Sequence, residues 1–151
     1  MAAIGQIQAA ATQSGKEVEH RKIEVSFRYM VRWNEPGFRA ILPDAVDGLN
    51  SVVGKSPEQM QAVFEGNAKQ REAVMSVFNL FEDIGLAVRT GYADSGSLCQ
   101  YFSEPASRYF SKTKPWLEYY RQQTGRHGAY EQYEWLCQKW DKGCPVGSLQ
   151  K

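Results

Sequence analysis

The stretch VMSVFNLFEDIGLAVR, residues 74–89, decides the fold. Val74, Val77, Phe78, Phe81, Ile84, Gly85 and Val88 recur at steps of three and four, which puts them on one stripe of an α-helix. Leu80 and Leu86 add apolar surface outside that stripe. A helix that is apolar on more than one side is covered by several neighbours, so this segment reads as the centre of an all-α domain. Upstream, Ser56-Pro57-Glu58-Gln59 is a helix start: Ser as N-cap, Pro at the first helical position and Gln completing a capping box. The pattern runs from there to Thr90, with an interruption at Gly66-Asn67, and Gly91 is its stop.

On the N-terminal side, residues 1–13 read as a flexible arm. Ser14 and Glu17 have capping-box spacing, so a helix is expected to begin there. It carries Ile23, Phe27, Met30 and Val31 and ends near Trp33. Pro36-Gly37 breaks it, Phe38 to Leu42 forms one turn at most, and the Pro, Asp, Gly and Asn of residues 43–55 read as loop. On the C-terminal side, Asp94 to Ser97 starts a helical stretch reaching Gln123. Pro105 and Pro115 lie inside it and predict two or three segments. A last helix covers residues 129–140, and residues 143–151 read as a flexible tail. The expectation is one domain over residues 14–142, about five helices packed irregularly around the central one, with no strand.

The chain has 151 residues, 18 basic and 17 acidic side chains and a net charge of +1. That balance gives no field to draw it onto nucleic acid or an anionic membrane. Charge is uneven along the chain. Residues 57–99 hold three bases and six acids, whereas residues 100–151 hold eight and five. No stretch approaches the ~18 apolar residues of a membrane span. Three widely spaced cysteines, Cys99, Cys137 and Cys144, do not resemble a disulfide scaffold and read as thiols of a reducing cytoplasm. Cys137 is expected in the core and Cys144 as an exposed tail thiol.

The run Phe78-Asn79-Leu80-Phe81-Glu82-Asp83-Ile84 leads to Arg89 and Gly91. It is followed by Tyr101-Phe102, Tyr109, Pro115-Trp116-Leu117, Arg121, Tyr130 and Tyr133-Glu134-Trp135-Leu136. In this order the residues resemble an uncharacterised bacterial helical family, domain of unknown function 4760, over residues 74–140. The resemblance implies a helical layout and no established activity. Many members carry an N-terminal membrane helix, which the pattern of this chain does not show, so no membrane role is carried over.

Several constellations carry no chemistry on this reading. Gly54-Lys55-Ser56 lacks the upstream glycine and strand of a phosphate loop and reads as a helix cap. His127, Glu131 and Glu134 have helical spacing, but His127 precedes the helix, so no metal and no cofactor is expected. Glu82 and Asp83, being adjacent, point to different faces and form no glycosidase-like pair; a Glu82–Arg121 ion pair is the structural expectation. Too few histidines exist for a nucleophile–histidine triad.

The informative feature is aromatic. Of the 8 Tyr, 7 Phe and 4 Trp, 11 fall within residues 101–140, more than one helical face can hide. Neighbours such as Tyr119-Tyr120 diverge by about 100° on a helix, so some are expected at a protein interface. The alternatives are a small core built from large residues, or base stacking, which the net charge disfavours. The functional expectation is a non-enzymatic module that binds another protein or itself through Trp116, Tyr120, Arg121 and Trp135. Two other classes stay open: a phage- or mobile-element-encoded inhibitor of a bacterial defence complex, and an enzyme with an unrecognised site.

Overall fold

The computed structural model describes residues 2–146, and within them every regular element is a helix. In chain order these are α1 (Ala2–Asn34), α2 (Pro36–Val52), α3 (Pro57–Gly66), α4 (Ala68–Arg89), α5 (Ser95–Thr124) and α6 (Glu131–Trp140). The protein is an all-α bundle with α4 at its centre, packed most extensively against α2 and α6. Val74, Val77, Phe78, Leu80, Phe81 and Ile84 of α4 are all fully buried. The expectation of a helix covered on several sides therefore holds.

Helix starts are set by the side chains that the sequence marks. The amide of Gln59 donates to Ser56 Oγ (3.2 Å), and the Ser56 amide donates to Gln59 Oε1 (2.9 Å). Asn67 both ends α3 and caps α4, accepting from the Gln70 amide at 3.1 Å. Asp94 caps α5 through the Ser97 amide at 2.9 Å. Each cap satisfies a donor that the first helical turn leaves open.

Four expectations are corrected. First, α1 does not begin at Ser14: helix runs back to Ala2, through the stretch read as an arm. Second, residues 36–52 are a helix rather than a turn followed by loop. Phe38, Ile41, Leu42, Ala45, Leu49 and Val52 carry the inward face of α2, and Pro43 is exposed on its outer side. Gly48 is no turn residue. A Cβ there would come within 2.9 Å of Val74 Cγ2, so the glycine lets α2 close on α4. Third, α5 runs unbroken from Ser95 to Thr124 with both prolines inside it. Each proline costs a helix about 3 kcal/mol. The burial of Phe102, Ala106, Tyr109, Phe110, Thr113, Trp116 and Leu117 on one side of α5 offsets that cost through tertiary packing.

The fourth correction concerns the cysteines. Cys99, at 0 % exposure in α5, is bonded to Cys144 just beyond α6, a pair 45 residues apart in sequence. The chain is thus tied down at Cys144, inside the stretch read as a loose tail; residues 147–151 of that stretch lie outside the described residues. A disulfide also withdraws the argument for a reducing compartment. Cys137 is buried in the core as expected. Burial, together with Asp141 and Glu134 nearby, pushes its thiol up to about 12.

The disulfide is open to a direct test. Closing a 45-residue loop is worth roughly 3–4 kcal/mol in the chain-entropy account. Cys144→Ser is expected to lower Tm by about 10 °C. In the wild-type protein no cysteine should react with iodoacetamide until a reductant is added. Labelling of a folded, unreduced sample would show that the bond is not formed.

Candidate interaction surface

Most of the aromatic cluster is core. The Tyr133 ring lies 5.1 Å from Phe81, stacked, and 5.2 Å from both Phe78 and Phe110, edge-on. Its hydroxyl donates to Ala106 O at 2.6 Å, so the one polar atom of a fully buried side chain is satisfied. Burial holds the Tyr133 phenol well above its usual range, and that of Tyr130 is pushed up to about 12 by burial, Tyr120 and Glu82. Burial likewise raises Tyr109 and Tyr29.

The four residues expected at an interface have separate fates. Trp116 is a core residue, 3 % exposed, and this corrects its reading as a surface anchor. It packs edge-on against Phe64 at 5.0 Å, and its indole N–H donates to Gln61 Oε1 at 2.7 Å. Tyr120 is half-buried against Trp116 at 5.5 Å. Arg121 is engaged internally: Nε and Nη2 donate to Ala129 O at 2.9 and 2.7 Å, and Nη1 pairs with Glu134 Oε2 at 2.8 Å. This fork closes the turn between α5 and α6. Its partner is Glu134, not the expected Glu82. Trp135 is half-buried between Arg89, 5.5 Å from the ring centroid, and Lys139, 5.6 Å away. Of the four, it keeps the most open position.

Glu82 has a different role. α6 starts from Tyr130 in the left-handed conformation (φ 57°) and has no side-chain cap of its own. Glu82 of α4 takes the place of that cap. It accepts from the Tyr133 amide at 2.8 Å and also from the Gln132 amide. One helical turn on, Gly85 leaves room for the α6 backbone: a Cβ there would fall 2.3 Å from Gln132 O. Asn79 accepts from the Tyr130 hydroxyl at 3.1 Å, and Asp83 bonds Arg32 of α1 at 3.2 Å. The polar residues of the 79–85 run therefore hold α6 and α1 on α4. Among the described residues no three His, Cys, Asp or Glu side chains form a ligand group. His127 is exposed, and Ser56 of the Gly54-Lys55-Ser56 run caps α3.

The profile of the family described as "Domain of unknown function (DUF4760)" matches residues 1–140. The chain belongs to this family. No curated protein and no solved structure matches it. The DUF4760 match takes in α1 and α2 as well as the stretch 74–140 that carries the resemblance in sequence.

What this DUF4760 bundle leaves uncovered lies mainly elsewhere, on α1 and its flanks. Residues 3–21 are exposed all round. Ile4 is 64 % exposed and Ile7 68 %, and Val18, Phe27 and Val31 are also exposed. Leu86 and Tyr92 are exposed beside α1, rimming a groove of ≈ 430 Å³ that Val25, Tyr29 and Ala87 also line. On the other flank, Phe27, Met30, Val31 and Tyr101 line a second apolar groove. No helix among the described residues is long and apolar enough to cross a membrane.

Two outcomes follow from this packing. Glu82→Ala leaves two α6 amides without an acceptor and is expected to cost on the order of 2 kcal/mol. Glu82→Gln keeps an acceptor oxygen. Because burial raises the Glu82 carboxyl above its usual range, removing the charge should cost less than removing the acceptor. Equal losses of Tm for the two variants would refute the capping role. The second outcome concerns alkali. Phenols raised in the fold stabilise it below about pH 10, the unfolded value, and that stability is lost as pH rises further. Of eight tyrosines, the four raised ones should ionise, followed at 295 nm, only together with loss of near-ultraviolet circular dichroism.

Proposed function

We propose that this protein is a non-enzymatic module that binds another protein chain, and that its contact surface centres on α1. The observation that carries the reading is the exposure of Ile4, Ile7, Val18, Phe27 and Val31 along one helix, with Leu86 and Tyr92 beside it. Isolated exposed apolar side chains are ordinary, but a contiguous set along one element is the mark of a contact surface. The polar residues that a hydrolytic or metal mechanism would need have structural tasks instead. Glu82 caps α6, Arg121 and Glu134 close a turn, and Asp83 holds α1. That distribution supports binding over catalysis. The contact surface moves from residues 108–135 to α1, because Trp116 and Arg121 are engaged inside the fold. Of the earlier set, Trp135 stays a secondary contact. The proposal commits to no compartment, since the disulfide is the chemistry of oxidising surroundings.

Charged substitutions test the surface. Phe27→Asp and Leu86→Asp are expected to leave Tm within about 2 °C, as changes at exposed sites do. They should abolish recovery of a cross-linked partner from the native host, while Tyr119→Ala should not. Unchanged cross-linking by both variants would overturn the assignment of α1 as the binding surface.

A further inference from the structure

We infer that the projecting part of α1 pairs with α1 of a second copy of this chain, side by side and in the same direction. The inference rests on the reading of α1 as a binding surface and names its partner. Residues 3–21 extend about 28 Å at 1.5 Å per residue with no buried side. An unsupported helix of that length is marginal in water, and Gly5 and Gly15 weaken it further, each with open space where a Cβ would stand. Its own side chains offer only a Thr12 hydroxyl bond to Gln8 O and two exposed ion pairs, Lys22–Glu19 and His20–Glu24. A covering partner is what the segment lacks.

The pattern along the helix fits a copy of itself. Ile4, Ile7, Ala11, Ser14 and Val18 follow one another at alternating steps of three and four, the seam spacing of a two-stranded coil. Flanking this seam, Glu17 and Lys22 lie on opposite sides. In a pair running the same way, Glu17 of each chain faces Lys22 of the other, giving two opposite-charge contacts across the seam. In a pair running in opposite directions, Glu17 would face a stretch without charge, because residues 2–15 contain no Asp, Glu, Lys or Arg. The next seam position is Arg21. Two arginines facing each other end the pairing there, at the point where α1 enters its own bundle: Lys22 and Ile23 are the first half-buried residues, and Ser26 is fully packed. Charge complementarity therefore selects both the occupant and its direction.

Sedimentation over a range from 1 to several hundred micromolar (about 10²-fold in concentration, to span weak dimers) should show a monomer–dimer equilibrium. Ile4→Ser and Ile7→Ser should each weaken it at least about tenfold, with an unchanged Tm for the bundle. Glu17→Lys and Lys22→Glu should each weaken it several-fold, and the double exchange should restore it. Ile7→Cys should form a disulfide-linked dimer on mild oxidation, since position 7 meets itself only when the helices run the same way. A monomer at every concentration overturns the inference. A dimer that Ile7→Cys does not link, or that the exchanged pair does not restore, overturns the stated arrangement. The wider reading fails separately, if Phe27→Asp and the two Ile→Ser variants leave every partner contact unchanged. Loss of contact with a different protein, in a chain that stays monomeric, would keep that reading and discard this one.

Discussion

The close approach of α4 to α6 is the constraint on which the rest of the bundle depends. Two residues one turn apart make it possible. Gly85 supplies the space, because any side chain there would meet the Gln132 carbonyl. Glu82 supplies the acceptor for the first amides of a helix that has no cap of its own. With α6 seated, Tyr133 reaches through the core to Ala106 of α5, and its ring is enclosed by Phe78, Phe81 and Phe110. The opposite side of α4 repeats the device with the glycine on the partner helix: Gly48 of α2 rides over Val74 and Gln70. A short helix and a proline-containing one are thereby held against a single apolar rod.

This arrangement explains why polar residues in the central run carry no evident chemistry. Asn79, Glu82 and Asp83 sit on three successive outward directions of α4. They meet Tyr130, the α6 amides and Arg32 respectively. Each satisfies or orients a neighbouring helix. A cluster of acids on the central helix of a bundle invites a catalytic interpretation, and here burial and hydrogen bonding account for it fully.

Much of the fold was legible from the sequence, and the parts that were not share a physical cause. The α3 and α4 caps, the break at Gly66-Asn67 and the Asp94 start are local hydrogen-bond devices, and local devices are written in neighbouring residues. Helix α2 was hidden because Gly48 and Pro43 are turn residues by composition, yet here one serves a tertiary contact and the other is tolerated on an outer face. The unbroken α5 and the Cys99–Cys144 bond depend on packing partners far along the chain. For the candidate site, aromatic crowding near the C-terminus was a true signal of large buried side chains. It could not tell Trp116, sealed under Phe64, from Trp135, left at the rim. The uncovered residues of α1 have a regular spacing that was readable, but only the placement of the bundle shows that nothing in the same chain covers them.

The bond between Cys99 and Cys144 turns the C-terminal third of the chain into a closed ring that contains most of α5 and all of α6. Under mechanical tension applied at the two termini, such a ring does not extend. Roughly 45 residues at about 3.4 Å each, on the order of 150 Å of contour, stay out of the stretched chain. Tension from the N-terminal side would peel α1 to α4 from a loop that remains covalently gathered, with Tyr109, Tyr133 and Trp116 confined within it. The two parts of the chain thus differ in kind: one is held by packing alone, the other also by its own topology.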